Sequence, residues 1–312
     1  MSKTRELAIH ISPRDVAILH DMLLSRVMTL RQIAAIHFDD KPEAAKKRLQ
    51  KLKTAGFVNE ERPRRYEAAS LAISWAGYEI LKEADSSLSI PSLTPATLSR
   101  RTHPSPLTRQ HELAVMEVRA ALAAATRRTK DLEITAFEIW PKLNEFVVKG
   151  RVLKPDGFIQ VQEKSASGEL FESNFFLEVD RGTETQAHLA EKAVAYREFY
   201  ASGGFARRLG GRTEEFRDYP FRVLMVFQTA ERRNNAAREL LQQNPPLRTL
   251  TWLSTFQEAA STPLRKIWIT PASFEEAGGD TEPLRNSRVY IRNASREREL
   301  EGRLTKQSIL DA

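Results

Sequence analysis

Three carboxylates in the second half of the chain could bind a metal ion. Asp156 follows Pro155 early in one predicted strand, and Glu178 and Asp180 lie two residues apart in the next strand. Because side chains alternate across a strand, Glu178 and Asp180 share one face and Val179 points to the other, into the core. Carboxylates at the ends of adjacent strands repel each other unless a cation lies between them. Mg²⁺ or Mn²⁺ suits such oxygen ligands, and it can activate water for attack on a phosphodiester.

The same spacing is compatible with a purely structural role. Glu178 or Asp180 could instead form a salt bridge with Arg181 or Lys192. The spacing of these residues does not distinguish an ion pair from a metal site.

Other catalytic patterns are weaker. Tyr196 and Tyr200, four residues apart on one predicted helix, resemble the paired nucleophilic tyrosines of rolling-circle initiators. Those enzymes bind their metal through a His-apolar-His pair, and no two of the six histidines are two residues apart. Packing on an amphipathic helix is therefore the better interpretation of the two tyrosines. The chain has no cysteine, which excludes a thiolate nucleophile and a thiolate metal site. It also has no glycine-rich phosphate motif, so no nucleotide cofactor is predicted.

The elements around the carboxylates predict a mixed α/β domain. Strand patterns occur at residues 132–140, 151–162, 174–180, 221–229, 250–253 and 266–270, and helical patterns at 109–128, 183–200 and 230–243. Thr183 and Gln186 have the spacing of a capping box at the start of the second of these helices. Strand–helix–strand order indicates a partly parallel sheet with helices on its faces.

A segment rich in Ser, Thr and Pro divides the chain. Between residues 86 and 108, 14 of 23 residues are of these three types, which predicts an extended linker. The sequence thus predicts a first domain at 1–85, a linker at 86–108, a second domain at 109–272 and a charged extension at 273–312. The end of that extension is expected to be an exposed helix or a flexible tail.

The first 85 residues predict a winged helix-turn-helix. Ser12 and Thr29 are placed to cap the first two helices, and Gly56 to end a third helix at 43–55. Two strands, at 57–58 and 66–74, would form the wing, and Ser74 would cap a fourth helix.

Basic residues are concentrated in the third helix and the wing. Residues 43–66 contain eight basic and three acidic side chains. In this fold the third helix enters the major groove and the wing lies over phosphates. The predicted DNA contacts are Lys46, Lys47, Arg48, Lys51, Arg62, Arg64 and Arg65. The alternatives are a solvated helix face or a winged helix that binds proteins.

Two stretches resemble the replication-relaxation family of plasmids and integrative elements. They are Lys-Pro-Asp-Gly at 154–157 and Phe-Leu-Glu-Val-Asp-Arg-Gly-Thr-Glu at 176–184. The helix with Lys192 and Tyr196 and the preceding winged helix are similar too, so the resemblance extends to about Thr270. It implies a winged helix followed by a restriction-endonuclease-like domain. Some members resemble conjugative relaxases that nick transfer origins with a divalent metal instead of a tyrosine.

The resemblance also implies site residues. The nuclease pattern is Pro-Asp, then an acid, any residue and Lys. Asp156 matches the first acid and Glu178 the second, but Asp180 stands at the lysine position. Lys192, on the following helix, could supply the positive charge; otherwise the domain would bind DNA without cutting it. Glu112, on the first helix of this domain, is expected to be an additional acid.

These features predict a DNA-binding protein of a mobile genetic element that acts in plasmid replication or mobilisation by metal-dependent strand nicking. The alternatives are a non-catalytic origin-binding or transcriptional regulator with a degenerate nuclease fold, and a scaffold in a nucleoprotein complex. A net charge of +7 weakly favours a polyanionic partner such as double-stranded DNA. Other mobilisation or replication proteins are further candidate partners.

The chain has no apolar run of membrane-spanning length and no secretion signal, so a cytoplasmic location is expected.

Overall fold

The computed structural model describes residues 9–62, 67–84, 88, 90–148, 150–279 and 304–311. The chain forms two compact units, Met1–Ala124 and Ala125–Ala312. Both helices and sheets are present, which confirms the predicted mixed α/β class. No described helix is both long enough and apolar enough to cross a membrane.

The described residues of the first unit form six helices and one small sheet. Its elements are α1 (Pro13–Ser25), β1 (Met28–Thr29), α2 (Leu30–His37), α3 (Pro42–Thr54), β2 (Val58–Glu61), β3 (Ser70–Ile73), α4 (Trp75–Ala84), α5 (Pro95–Thr102) and α6 (Pro106–Thr126). The antiparallel sheet has the order β1-β3-β2. Ile18, Leu19, Met22 and Leu52 are fully buried in its core.

Local signals set the ends of these helices as predicted. The hydroxyl of Ser12 accepts a hydrogen bond from the Asp15 amide, and Thr29 caps α2 in the same way. Gly56 follows α3 with a positive φ of 78°, a conformation that glycine adopts without strain. The hydroxyl of Ser74 accepts a hydrogen bond from the Gly77 amide in the first turn of α4.

The predicted extended linker is partly helical. Thr94 caps α5, and Pro95 occupies its first position, where a missing N–H costs nothing. Arg101 of α5 is 8% exposed and donates hydrogen bonds to the carbonyls of Leu23 and Leu24 at the end of α1. The segment therefore packs on the first unit instead of running free. Helix α6, which was predicted to open the second domain, belongs to the first unit up to Ala124.

The second unit is built around a five-stranded sheet. Its elements are β4 (Leu132–Glu138), β5 (Phe146–Val148), β6 (Arg151–Leu153), β7 (Gly157–Lys164), β8 (Leu170–Asp180), α7 (Gln186–Ala201), α8 (Gly204–Arg208), β9 (Arg222–Phe227), α9 (Ala230–Leu241), β10 (Thr251–Thr255), α10 (Phe256–Ser261) and α11 (Pro271–Glu276). The sheet has the order β10-β9-β8-β7-β4, and β5 and β6 form a separate two-stranded sheet.

The five-stranded sheet is partly parallel, as predicted. Strand β9 pairs in parallel with β8 and with β10, whereas β7 pairs antiparallel with β8 and β4. Helix α7 connects β8 to β9, and α9 connects β9 to β10. The buried faces of β8, β9 and α7 supply much of one apolar core, including Phe176, Met225 and Tyr196.

Three local predictions for this unit were wrong. The strand predicted at 151–162 is broken, because Pro155 has no N–H to continue the ladder, so β6 ends at Leu153 and β7 begins at Gly157. The cap of α7 is Thr185, not Thr183. Within the described part of the chain, residues 266–270 form only isolated bridges, such as Leu253 with Ile269.

The charged extension is described only in part. Residues 280–303 lie outside the described ranges. Within 304–311, Leu304 and Ile309 are buried, and Lys306 pairs with Glu258 at 2.7 Å. This last stretch therefore packs on the second unit, contrary to the expected exposed helix or flexible tail.

Candidate active site

The sheet brings Asp156 and Glu178 together. Gly157 pairs with Leu177 in the antiparallel register of β7 and β8, so Asp156 lies opposite Glu178. The Asp156 amide donates to the Leu177 carbonyl at 3.0 Å, and Asp156 Oδ2 accepts from the Val179 amide at 2.8 Å. The predicted proximity is therefore present. Asp156 directly precedes β7 and Glu178 lies near the end of β8, so both carboxylates lie at one edge of the sheet, which is the amino end of β7 and the carboxyl end of β8.

Glu178 is buried, with a partner on each carboxylate oxygen. It is 2% exposed, Oε1 accepts from the Tyr196 hydroxyl at 2.6 Å, and Oε2 lies 3.1 Å from Lys192 Nζ. Burial raises the pKa of Glu178 to about 7, and the nearby Asp156 carboxylate adds to this effect against the opposing influence of Lys192 and Tyr196. A bound cation would favour the ionised form of Glu178.

Lys192 also bonds to a second carboxylate, that of Glu184. Its Nζ lies 2.9 Å from Glu184 Oε1. Burial lowers the pKa of Lys192, but the carboxylates of Glu178, Asp156 and Glu184 outweigh that effect and raise it overall. The ammonium therefore stays charged at neutral pH. We refer to Asp156, Glu178, Glu184, Lys192 and Tyr196 as the Glu178 cluster.

Asp180 belongs to a separate ion pair. It is 5% exposed, and its carboxylate accepts hydrogen bonds from Nε and Nη2 of Arg232 on α9 and from the Gly182 amide. We had expected Asp180 to be a further acid near the metal, or else to pair with Arg181 or Lys192. The structure instead gives it Arg232, which is 52 residues away in sequence.

Tyr196 contributes a hydrogen bond to the site. Its side chain is fully buried, and burial next to the Glu178 carboxylate raises its pKa well above the usual value. Such a phenol is a poor nucleophile because its anionic form is disfavoured. Tyr200 packs edge-on against the rings of Phe216 and Phe221. Both positions agree with the packing interpretation.

Glu112 is not part of the Glu178 cluster. It lies on α6 in the first unit, where its carboxylate pairs with Arg26 at 2.8 Å. The expected start of the second domain at residue 109 therefore differs from the unit boundary after Ala124, and the role of Glu112 as an additional acid stays a prediction.

The predicted DNA contacts on α3 fall into two groups. Lys46, Lys47 and Lys51 are exposed, and no described residue forms an ion pair or hydrogen bond with them. In contrast, Arg48 is bonded to the buried carboxylate of Asp15, with Nε to Oδ1 at 2.7 Å, and to the His10 carbonyl. Arg48 therefore stabilises the first unit, whereas the three lysines on α3 have no partner among the described residues.

The structure describes only some of the predicted wing residues. Arg62, just after β2, is exposed. Arg64 and Arg65 lie outside the described residues.

Two residues of the site were not assigned a role from the sequence. Glu184 lies in the acidic stretch that carries the family resemblance, and its closeness to Lys192 along the chain was a usable signal. Arg232 had no local signal, since its contact with Asp180 depends on the packing of α9 beside α7.

The family comparison agrees with these observations. A family model described as replication-relaxation matches residues 19–214, well over half of the chain. The chain belongs to the replication-relaxation family. This membership supports a role in the replication or relaxation of plasmids and related elements. The match covers α3 and the whole Glu178 cluster. Neither the curated proteins nor the solved structures yielded a match.

Proposed function

We propose that this replication-relaxation protein binds double-stranded DNA through its first unit and nicks one strand with its second. In this proposal the first unit is a winged helix, and the second is a restriction-endonuclease-like domain that uses Mg²⁺ or Mn²⁺. The observation that carries the proposal is the convergence of Asp156, Glu178 and Lys192, two acids and a cation from three segments of the second unit. Other replication or mobilisation proteins would be further partners.

The first unit supports DNA binding through its order of elements and its charge. Three helices are followed by two antiparallel strands, the order of a winged helix-turn-helix. Exposed Lys46, Lys47 and Lys51 lie on α3, the helix that would enter the major groove. Unpaired surface lysines can exchange solvent counterions for phosphates without losing an internal partner.

Asp156 and Glu178 fit a divalent ion. Mg²⁺ commonly takes one or two protein carboxylates and completes its shell with water and phosphate oxygens. Within the described ranges, no three His, Asp or Glu side chains form a group that could together hold a metal. In this proposal Asp156 and Glu178 supply the two protein carboxylates, and water and DNA complete the shell of the ion. When bound, the ion would activate water and stabilise the charge that develops on the phosphodiester.

The surrounding residues hold this pair in place. The Val179 amide fixes one oxygen of Asp156, and the Tyr196 hydroxyl fixes one oxygen of Glu178. Lys192 places a positive charge beside Glu178, where it would bind the scissile phosphate. This is the role of the lysine in the nuclease pattern, supplied here from α7.

A second candidate function is a regulator that binds DNA but does not cut it. It is favoured by Asp180, which occupies the usual lysine position and is ion-paired with Arg232. It is also favoured by Lys192, which already balances the charge of Glu178 without a metal.

A nicking assay tests these functions. Supercoiled DNA that carries the element's own origin is incubated with the protein and Mg²⁺ or Mn²⁺. The parent protein should produce open circles, and Asp156→Asn, which removes a charge but preserves shape, should abolish nicking while duplex binding persists. Asp218→Asn, an exposed aspartate of the same unit, is the matched control and should nick like the parent. Binding without cleavage by the parent would support the regulator instead.

Tyr196→Phe adds a test of mechanism. Nicking should continue without any covalent protein–DNA adduct, although the loss of a buried hydrogen bond should slow it. An adduct that forms with the parent and disappears with Tyr196→Phe would contradict metal-dependent hydrolysis.

A further inference from the structure

Lys192 is shared between two carboxylates. Its Nζ contacts Glu178 Oε2 at 3.1 Å and Glu184 Oε1 at 2.9 Å. A divalent ion held by Asp156 and Glu178 would compete with this ammonium for the same oxygen, and the two positive charges would repel each other. If the ion is to bind while Lys192 remains at the site, the ammonium needs another anchor.

Glu184 has an unused oxygen for this purpose. Its Oε2 atom is buried and accepts no hydrogen bond from the described residues. A buried acceptor without a donor is unfavourable, so a hydrogen bond from a nearby N–H group to this oxygen is stabilising. Of the two carboxylate oxygens of Glu184, only Oε1 currently bonds to Lys192.

The backbone around Glu184 is held in place. Arg232 donates a hydrogen bond from Nη2 to the Glu184 carbonyl and also pairs with Asp180 at the end of β8. The Gly182 amide donates to Asp180 Oδ1 at 2.9 Å, which fixes the turn between β8 and α7. Glu184 is therefore presented to Lys192 by a turn that is tied to the end of β8.

We propose that Glu184 is the positioning residue for Lys192 and takes over its ammonium when Glu178 binds a divalent ion. The inference rests on the proposed nicking function, because it assigns Asp156 and Glu178 to the ion. It gives Lys192 two anchors in succession: Glu178 and Glu184 together in the metal-free protein, and both oxygens of Glu184 in the metal-bound protein. Lys192 would thus stay beside the scissile phosphate without opposing the metal.

The test measures how fast Lys192 is acetylated by an N-hydroxysuccinimide ester, read by peptide mass spectrometry on the full chain. An ammonium held by carboxylates reacts slowly because it rarely loses its proton. In the parent, saturating Mn²⁺ should change the rate at Lys192 less than about twofold. In Glu184→Gln, Mn²⁺ should raise it about tenfold, because the ion displaces Lys192 from Glu178 and no second carboxylate holds it. Glu191→Gln removes an exposed charge next to Lys192 and should behave like the parent.

A metal-free arm separates this inference from the proposed function. In Glu178→Gln, Lys192 should remain protected by Glu184, and in the double variant Glu178→Gln/Glu184→Gln its acetylation should rise about tenfold. Equal rates in the single and double variants would overturn the role of Glu184. Faster acetylation of Lys192 in the parent when Mn²⁺ is added would also overturn it.

The two arms can fail independently. If the double variant shows the increase but Mn²⁺ never alters Glu184→Gln, Glu184 does position Lys192, and it is the metal site that fails. Persistent amide protection in β8 and unchanged acetylation of the exposed Lys130 and Lys164 would show that each variant is folded.

Discussion

Helix α3 and the Glu178 cluster differ in how far their charged side chains are exposed to solvent. Lys46, Lys47 and Lys51 are exposed and have no partner among the described residues, whereas Glu178 and Lys192 are largely buried and hydrogen-bonded. Exposed charges are screened by water and salt, while buried charges are screened much less and interact strongly with their neighbours. In the proposed function, the exposed lysines of α3 bind DNA and the buried cluster carries out the cleavage.

Arg48 shows that position, not residue type, decides between these two uses of charge. It lies on α3 among the exposed lysines, yet its guanidinium is bonded to the buried Asp15 carboxylate. The difference between α3 and the Glu178 cluster can be tested by removing charge from each.

The largest expected effect is a loss of stability when the ion pair next to the Glu178 cluster is broken. Arg232→Met leaves the buried Asp180 carboxylate without its cation, and removal of one partner of a buried pair typically costs about 3 kcal/mol or more. The free energy of opening of β8, measured by hydrogen exchange, should fall by about that amount. Arg212→Met removes a guanidinium that is 80% exposed and should leave the opening free energy nearly unchanged. Equal effects of the two substitutions would contradict the distinction between buried and exposed charge.

The next effect is a pH dependence of stability. The pKa of Glu178 is about 7 in the folded chain against an ordinary value of 4.5, so the folded state holds the proton more tightly. The stability from this group is complete below about pH 4.5 and is lost as the pH rises through 7. Without metal, the parent should lose about 2 kcal/mol more than Glu178→Gln between these limits, as measured by denaturant unfolding. Glu191→Gln should keep the parent profile; a parent profile already as flat as that of Glu178→Gln would contradict the raised pKa.

The smallest expected effect in free energy is on DNA affinity. Replacement of Lys46, Lys47 and Lys51 by alanine should weaken duplex binding by about tenfold or more at low salt, because fewer counterions are released. The slope of log affinity against log salt should shrink by about 2 to 3. The matched control replaces Lys82, Lys130 and Lys164, which are also exposed. An equal loss in both triple variants would mean that net charge, and not α3, determines binding.

The sequence predicted those features whose signals are local. The caps at Ser12 and Thr29, the end of α3 at Gly56 and the pairing of Asp156 with Glu178 all follow from residues close together in the chain or from adjacent strands. The sequence also offered Lys192 as a salt-bridge partner of Glu178, and this pair is present at 3.1 Å. The role of Lys192 beside a metal came from the family resemblance.

The remaining features depend on packing between distant segments. Helix α5 was missed because proline and serine favour an extended chain, whereas Pro95 starts the helix and Arg101 binds carbonyls of α1. The pairing of Asp180 with Arg232 joins residues 52 apart, and no periodicity in the sequence indicates it.

The most direct test of the account is a Mn²⁺ titration of the full chain without DNA, followed by calorimetry. We predict one bound ion per chain in the parent and in Asp218→Asn. In Asp156→Asn and in Glu178→Gln, the affinity for Mn²⁺ should fall by about tenfold or more. All four proteins should remain folded by amide exchange in β8. If the parent binds no Mn²⁺, or if both carboxylate variants bind it as tightly as the parent, Asp156 and Glu178 do not form a metal site.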